Sequence, residues 1–133
     1  MDRIVRIARS IVKAAMEKAI IGNKAMKVLN KYGAYTSGNG YEIEISETYY
    51  LKDMGEYGTF TVELAIGLSN GKVKLEMGNY NNGSWSEYEP NIRDVVFQPR
   101  DDADTARRID DFVKGAKKTL HSLCLEIQDN HKE

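Results

Sequence analysis

One cysteine in 133 residues leaves no intramolecular disulfide framework and no multi-cysteine zinc site. Prolines number two and stand only at positions 90 and 99, so helix- and strand-breaking signals are confined to one region. No apolar run approaches the roughly 18 residues that a membrane span needs, and no signal-peptide core is present. Familiar catalytic signatures are missing as well: Gly-x-Ser-x-Gly, His-Glu-x-x-His and Cys-x-x-Cys do not occur. Gly38-Asn39-Gly40 lacks the spacing and the Lys-Ser/Thr ending of a phosphate loop, and no strand precedes it. The expectation is a non-enzymatic, cytoplasmic chain with no cofactor and no bound metal.

What is present reads as one globular domain over residues 1–133. Hydrophobic residues make up 41% and charged residues 29%, a balance that permits a packed core. A chain of this length buries roughly 65–70% of its unfolded surface.

The opening segment carries Ile4, Ile7, Ala8, Ile11, Ala15, Ala19, Ala25, Met26 and Leu29 at three- and four-residue steps. That spacing predicts a single helix over about 2–32. Lys18 and Gly22 interrupt its apolar face, and Gly33 stands where a C-terminal cap is expected. Residues 36–40 read as a loop.

The period then changes from 3.6 to 2. Tyr41, Ile43, Ile45, Tyr49 and Leu51 alternate with polar residues, as do Phe60, Val62, Leu64, Ile66 and Leu68, and then Val73, Leu75 and Met77. Asn70-Gly71 is a strong hairpin signal, because a type I′ turn needs positive φ at both central residues. Asn81-Asn82-Gly83 repeats the device before a weaker strand at 84–89, and Ile92–Gln98 is a fifth candidate. The strands thus occupy about 41–98. A closing helix over about 102–128 follows, with Asp101, Asp102 and Asp104 at its start and Ile109, Phe112, Val113, Ala116, Leu120, Leu123 and Ile127 along one side.

The expected fold is α+β: a two-layer domain, a four- to five-stranded antiparallel meander with long N-terminal and C-terminal helices packed on one face. The opposite sheet face carries Glu42, Glu44, Thr48, Tyr50, Thr59, Thr61, Glu63, Lys72, Lys74 and Glu76.

Charge is segregated along the chain: net +6 over residues 1–32, −5 over 33–100 and −2 over 101–133. On the first helix Arg3, Arg6, Arg9, Lys13, Lys24, Lys27 and Lys31 gather on one side. A like-charged row lowers intrahelical stability by a few tenths of a kcal/mol per i,i+4 pair. A solvated face is the simplest explanation. The functional one is a partner-binding patch of Arg3, Arg6, Arg9, Lys13, Lys24 and Lys27. A sequence pI near 6.2 argues against nucleic acid and for a protein partner.

Tyrosines number eight beside one tryptophan, and such residues give large contact area with little rotamer entropy. Tyr80, Trp85, Tyr88, Arg93 and Arg100 are therefore the candidate residues for a nucleotide-like anionic ligand. An antiparallel sheet using its customary aromatics explains the same set. His121 and Cys124 share a helix face at i,i+3, but two such groups do not complete a zinc site. Helix capping and polar-face pairing explain the aspartates of the closing helix without a metal. Glu87 and Glu89 stand on one side of the weak strand, without a shaped cleft for acid–base chemistry.

The helix–strands–helix order, small size and segregated charge resemble those of compact phage or mobile-element accessory proteins, which work by binding. Secretion chaperones, also binding proteins, usually have a helix between their strands, and none is expected here. The likeness is one of architecture and carries no residue. It implies a binding protein; the sheet's exposed polar face and free edge add the expectation of a homo-oligomer, and a small-ligand binder and a small enzyme are the alternatives.

Overall fold

A computed structural model describes residues 20–36, 42–50, 59–69, 71–81 and 88–130. Two helices and five strands succeed one another: α1 (Asn23–Lys31), β1 (Tyr35–Thr36), β2 (Glu42–Tyr50), β3 (Thr59–Ser69), β4 (Lys72–Asn81), β5 (Val95–Phe97) and α2 (Asp102–Asn130). The strands form one sheet in the order β1-β2-β3-β4-β5, with every pairing antiparallel. The fold is the expected α+β arrangement of an antiparallel meander and two helices.

Period-2 alternation decides which sheet face is dry. Ile43, Ile45, Val62, Leu64, Ile66, Val73 and Leu75 are buried. They join Leu29 of α1 and Ile109, Val113, Ala116, Leu120, Leu123 and Ile127 of α2 in one core. Glu47 lies opposite Val62 on that same face. It is accommodated by an ion pair with Lys117 of α2, at 3.3 Å. The other face carries Thr48 and Thr61, whose hydroxyls are 3.1 Å apart.

The β3–β4 hairpin pairs Ser69 with Lys72, and Gly71 adopts φ +76, as the Asn-Gly signal predicts. β4 runs beyond the predicted Met77 to Asn81. A bulge explains this. Glu63 faces Asn79 and Leu64 faces Met77, so Gly78 is the extra residue and the alternation changes phase there. A Cβ on Gly78 would lie 3.4 Å from the Ala65 Cβ. The fifth candidate, Ile92–Gln98, forms β5 over Val95–Phe97, and the weaker strand expected at 84–89 is not seen among its described residues. Tyr88 and Glu89 are outside any strand, 84–87 lie outside the described residues, and β1 is the additional strand. Two residues are too few to produce a period.

The opening helix also differs from the expectation of one helix over 2–32. Residues 20–22 are not helical, Ile20 has φ +56, and α1 begins at Asn23 with Gly22 as its N-cap. Positions 1–19 lie outside the described residues. The physical reason for the break is a contact with α2: the Asp102 carboxylate occupies the space against Gly22, where a Cβ would approach to 2.9 Å. The other end of α1 follows the expectation. Gly33, at φ +68, donates to the Asn30 carbonyl while Ala34 donates to that of Leu29, the Schellman pattern.

Candidate functional site

The two helices begin together and run in the same direction. Asp102, at the start of α2, accepts the backbone N–H groups of Gly22 (2.8 Å), Lys24 (2.8 Å) and Ala25 (3.0 Å). Asp110, two turns on, accepts from Lys31 (3.2 Å), the last residue of α1, and from Tyr32 (2.5 Å), its C-cap. Gly22 has no side chain to cap α1, so a residue about 80 positions away does so. Burial alone would raise the Asp102 pKa; the N–H groups of Ala25, Lys24 and Gly22 outweigh it and hold the carboxyl below its usual range.

Asp101 caps α2 itself, taking the Asp104 N–H at 2.7 Å. Asp104 is the centre of a cationic cluster. Its Oδ2 accepts the Arg100 N–H at 3.1 Å. Its Oδ1 accepts from Arg107 Nη2 at 2.8 Å and Arg108 Nε at 3.1 Å, with Arg100 Nη2 at 3.6 Å. The Arg108 guanidinium also lies over the Phe97 ring, 4.9 Å from its centroid. The carboxylate side chain is 2% exposed, whereas those of Arg100, Arg107 and Arg108 are 75%, 59% and 39% exposed. The arginines therefore cover the aspartate and keep their outer surfaces in solvent. The Arg100 N–H, then Arg107, depress the Asp104 pKa most; covering by neighbours opposes them, and Arg108 adds to the depression.

Asp110 is structural in a different way. Lys114 pairs with it at 2.8 Å, and this hydrogen bond, followed by that from Tyr32, keeps its pKa low. Burial and the bond to Asp110 push the Tyr32 hydroxyl up to about 12. Each of these aspartates thus has a protein partner. No group of three or more His, Cys, Asp or Glu suited to a metal occurs among the described residues. Cys124 is buried and His121 exposed; burial raises the thiol pKa, which leaves Cys124 in its less nucleophilic form.

A shallow groove follows the flank of α2. One part, of about 430 Å³, is lined by Glu89, Pro90, Asn91, Lys118, Ser122 and Glu126 among others. Another, of about 220 Å³, is lined by Arg93, Asp111, Phe112 and Gly115 among others.

The sequence-predicted residues fall in several places. Lys24 and Lys27 are exposed on α1; Arg3, Arg6, Arg9 and Lys13 lie outside the described residues, as does Trp85. Tyr80 is on β4 opposite Val62. Tyr88 is half-buried, its hydroxyl accepting from Asn130 Nδ2 at 3.1 Å. Arg93 borders the groove, and Arg100 belongs to the Asp104 cluster. Tyr88 therefore sits at the carboxyl end of α2 and Arg100 at its amino end, roughly 40 Å apart at 1.5 Å rise per residue. The structure does not bring those two together. Arg107 and Arg108 were not among the predicted residues. Their signal was an Arg-Arg pair three and four positions after a first-turn aspartate, a spacing that aims both at one carboxylate.

No protein-family model matches the chain, and neither a curated protein nor a solved structure does. In the described residues no helix is long and apolar enough to cross a membrane.

Proposed function

We propose that the chain is a non-enzymatic binding protein that works through a macromolecular partner, a protein with an acidic surface, in the manner of the small accessory proteins its architecture resembles. The observation that carries this reading is the gathering of Arg100, Arg107 and Arg108 about one covered carboxylate. It stands at the end of the helix pair where α1 exposes Lys24 and Lys27. Guanidiniums already held by a shared partner lose less freedom when they bind. An exposed cationic end also steers acidic partners and suppresses basic ones.

The test is capture of protein from a source lysate by the wild type and by a variant with Lys24→Glu, Lys27→Glu and Arg107→Glu. Salt-sensitive capture that the variant loses is expected; the same proteins on both baits would end the proposal. Self-association belongs to the same reading. β5 is the last strand of the sheet among the described residues, and Val95 and Val96 are 36% and 60% exposed. Edge strands of this kind pair readily. Light scattering should find an oligomer that Val96→Lys weakens, and a monomer at all concentrations would remove this part. A second reading, a nucleotide-like anionic ligand, rests on Arg93 at the border of the smaller groove part. It expects thermal stabilisation by nucleotides, lost on Arg93→Gln.

A further inference from the structure

We infer that the Arg100–Arg107–Arg108 cluster is a site for a phosphate monoester dianion, presented as a phosphorylated side chain of the protein partner. This inference rests on the partner-binding reading above and names the group recognised.

Three guanidiniums converge on one carboxylate oxygen: Arg107 Nη2 at 2.8 Å, Arg108 Nε at 3.1 Å and Arg100 Nη2 at 3.6 Å from Asp104 Oδ1. Asp101 and Asp102 keep their negative charge while they accept N–H groups at helix termini, so the three arginines balance these two and Asp104. The exposed Lys24 and Lys27 of α1, at the same end of the helix pair, add an excess of two. Asp101 Oδ1 takes the Asp104 N–H, and both oxygens of Asp102 take N–H groups at the start of α1.

The excess matches the charge of a phosphate monoester, about −1.5 to −2 at neutral pH, better than that of a single carboxylate. The donors match too. A guanidinium has five N–H groups in a planar fork suited to phosphate oxygens. Arg107 and Arg108 each direct one nitrogen to Asp104 and keep side chains that are 59% and 39% exposed. Asp104 acts as the positioning residue. Through the Arg100 N–H it holds the chain just before α2, and through its other oxygen it holds the two arginines of the first turns. Stacking on Phe97 limits the freedom of Arg108 further. Like charges are thus kept close before any ligand arrives, which is the preorganisation that an anion site needs.

Titration of the full chain with inorganic phosphate, a phosphoserine peptide, its glutamate counterpart and adenosine monophosphate tests the inference, with Arg side-chain NMR shifts and calorimetry as readouts. The phosphopeptide should bind at least about tenfold more tightly than the glutamate peptide. Binding should weaken between about pH 7.5 and pH 5, as the phosphate loses its second charge. Arg107→Gln or Arg108→Gln should each weaken it about tenfold. Arg107→Lys, which keeps the charge but loses the fork, should weaken it too, and Lys118→Gln should not. Equal binding of adenosine monophosphate and the phosphopeptide would keep the phosphate site but overturn the phosphoprotein as its source. No shift of these arginines by any phosphate compound, or binding indifferent to their replacement, would overturn the inference. If the charge-reversed variant still loses protein capture in that case, only the inference falls; if capture is indifferent as well, the partner reading falls with it.

Discussion

Ile20 adopts φ +56 although it is β-branched, a conformation that costs an L-residue roughly 1–2 kcal/mol. The Thr105 hydroxyl reaches the Ile20 carbonyl at 2.9 Å, so α2 helps hold the strained residue in place. Ile20 is 43% exposed, and its replacement removes little buried area. Ile20→Gly should therefore raise the urea midpoint, by up to about 1 kcal/mol of stability after the added unfolded-state entropy is counted. A lower midpoint would show that the side chain contributes more than the backbone strain removes.

Asp102 is the second residue with an outsized role. Its carboxylate serves three N–H groups of another helix. Asp102→Ala should cost about 1–2 kcal/mol by chemical denaturation, in line with loss of a helix cap. Amide exchange should quicken first at Lys24 and Ala25. Uniform loss of protection through the sheet instead would mean that the contact supports the whole domain rather than α1.

At the scale of elements, α2 organises the core. Its buried face runs from Ile109 to Ile127, and Leu120 is fully buried near its middle. Leu120→Ala should cost about 2–5 kcal/mol, the range for a buried leucine whose cavity only partly collapses. A cost under about 1 kcal/mol would mean that α2 packs loosely on the sheet. The strands show what periodicity can reveal. Long runs such as Thr59–Ser69 are legible because alternation repeats several times. β4 was legible only to Met77, because the bulge at Gly78 reverses the phase. β1 was invisible, and the break in the opening helix at 20–22 was legible only as an interruption at Gly22.

At the scale of the whole molecule, pH should act through groups shared between elements. Asp102, Asp104 and Asp110 have pKa values below the ordinary range. Their contribution is fully present above the unfolded value of about 4 and is lost progressively as pH falls from there towards their lower folded-state values. Tyr32 acts in the opposite sense: its pKa rises from 10.0 to about 12, so its contribution holds below pH 10 and declines as pH rises from there towards 12. Urea midpoints across pH should fall on both limbs. Asp110→Asn should flatten the acid limb and Tyr32→Phe the alkaline one. Limbs unchanged by these substitutions would show that other groups control the response.

The same scale separates what was legible at the candidate site. The exposed positions of Lys24 and Lys27 follow from helical spacing. That Arg100 joins Arg107 and Arg108 does not, because Pro99 and Asp101 stand at the junction between strand and helix, where no period applies.

The amino-acid order by itself determined the α+β class, the alternating faces of the strands, the Asn-Gly hairpin, the Gly33 cap and the length of α2. All of these arise from interactions between residues near one another in the chain. Only the tertiary structure decided where α1 begins, which aspartate caps which helix, how β4 continues past its bulge, and that three arginines meet at Asp104. Those outcomes depend on groups brought together by folding, and a carboxylate has no preference for its own helix over another until packing sets the distance.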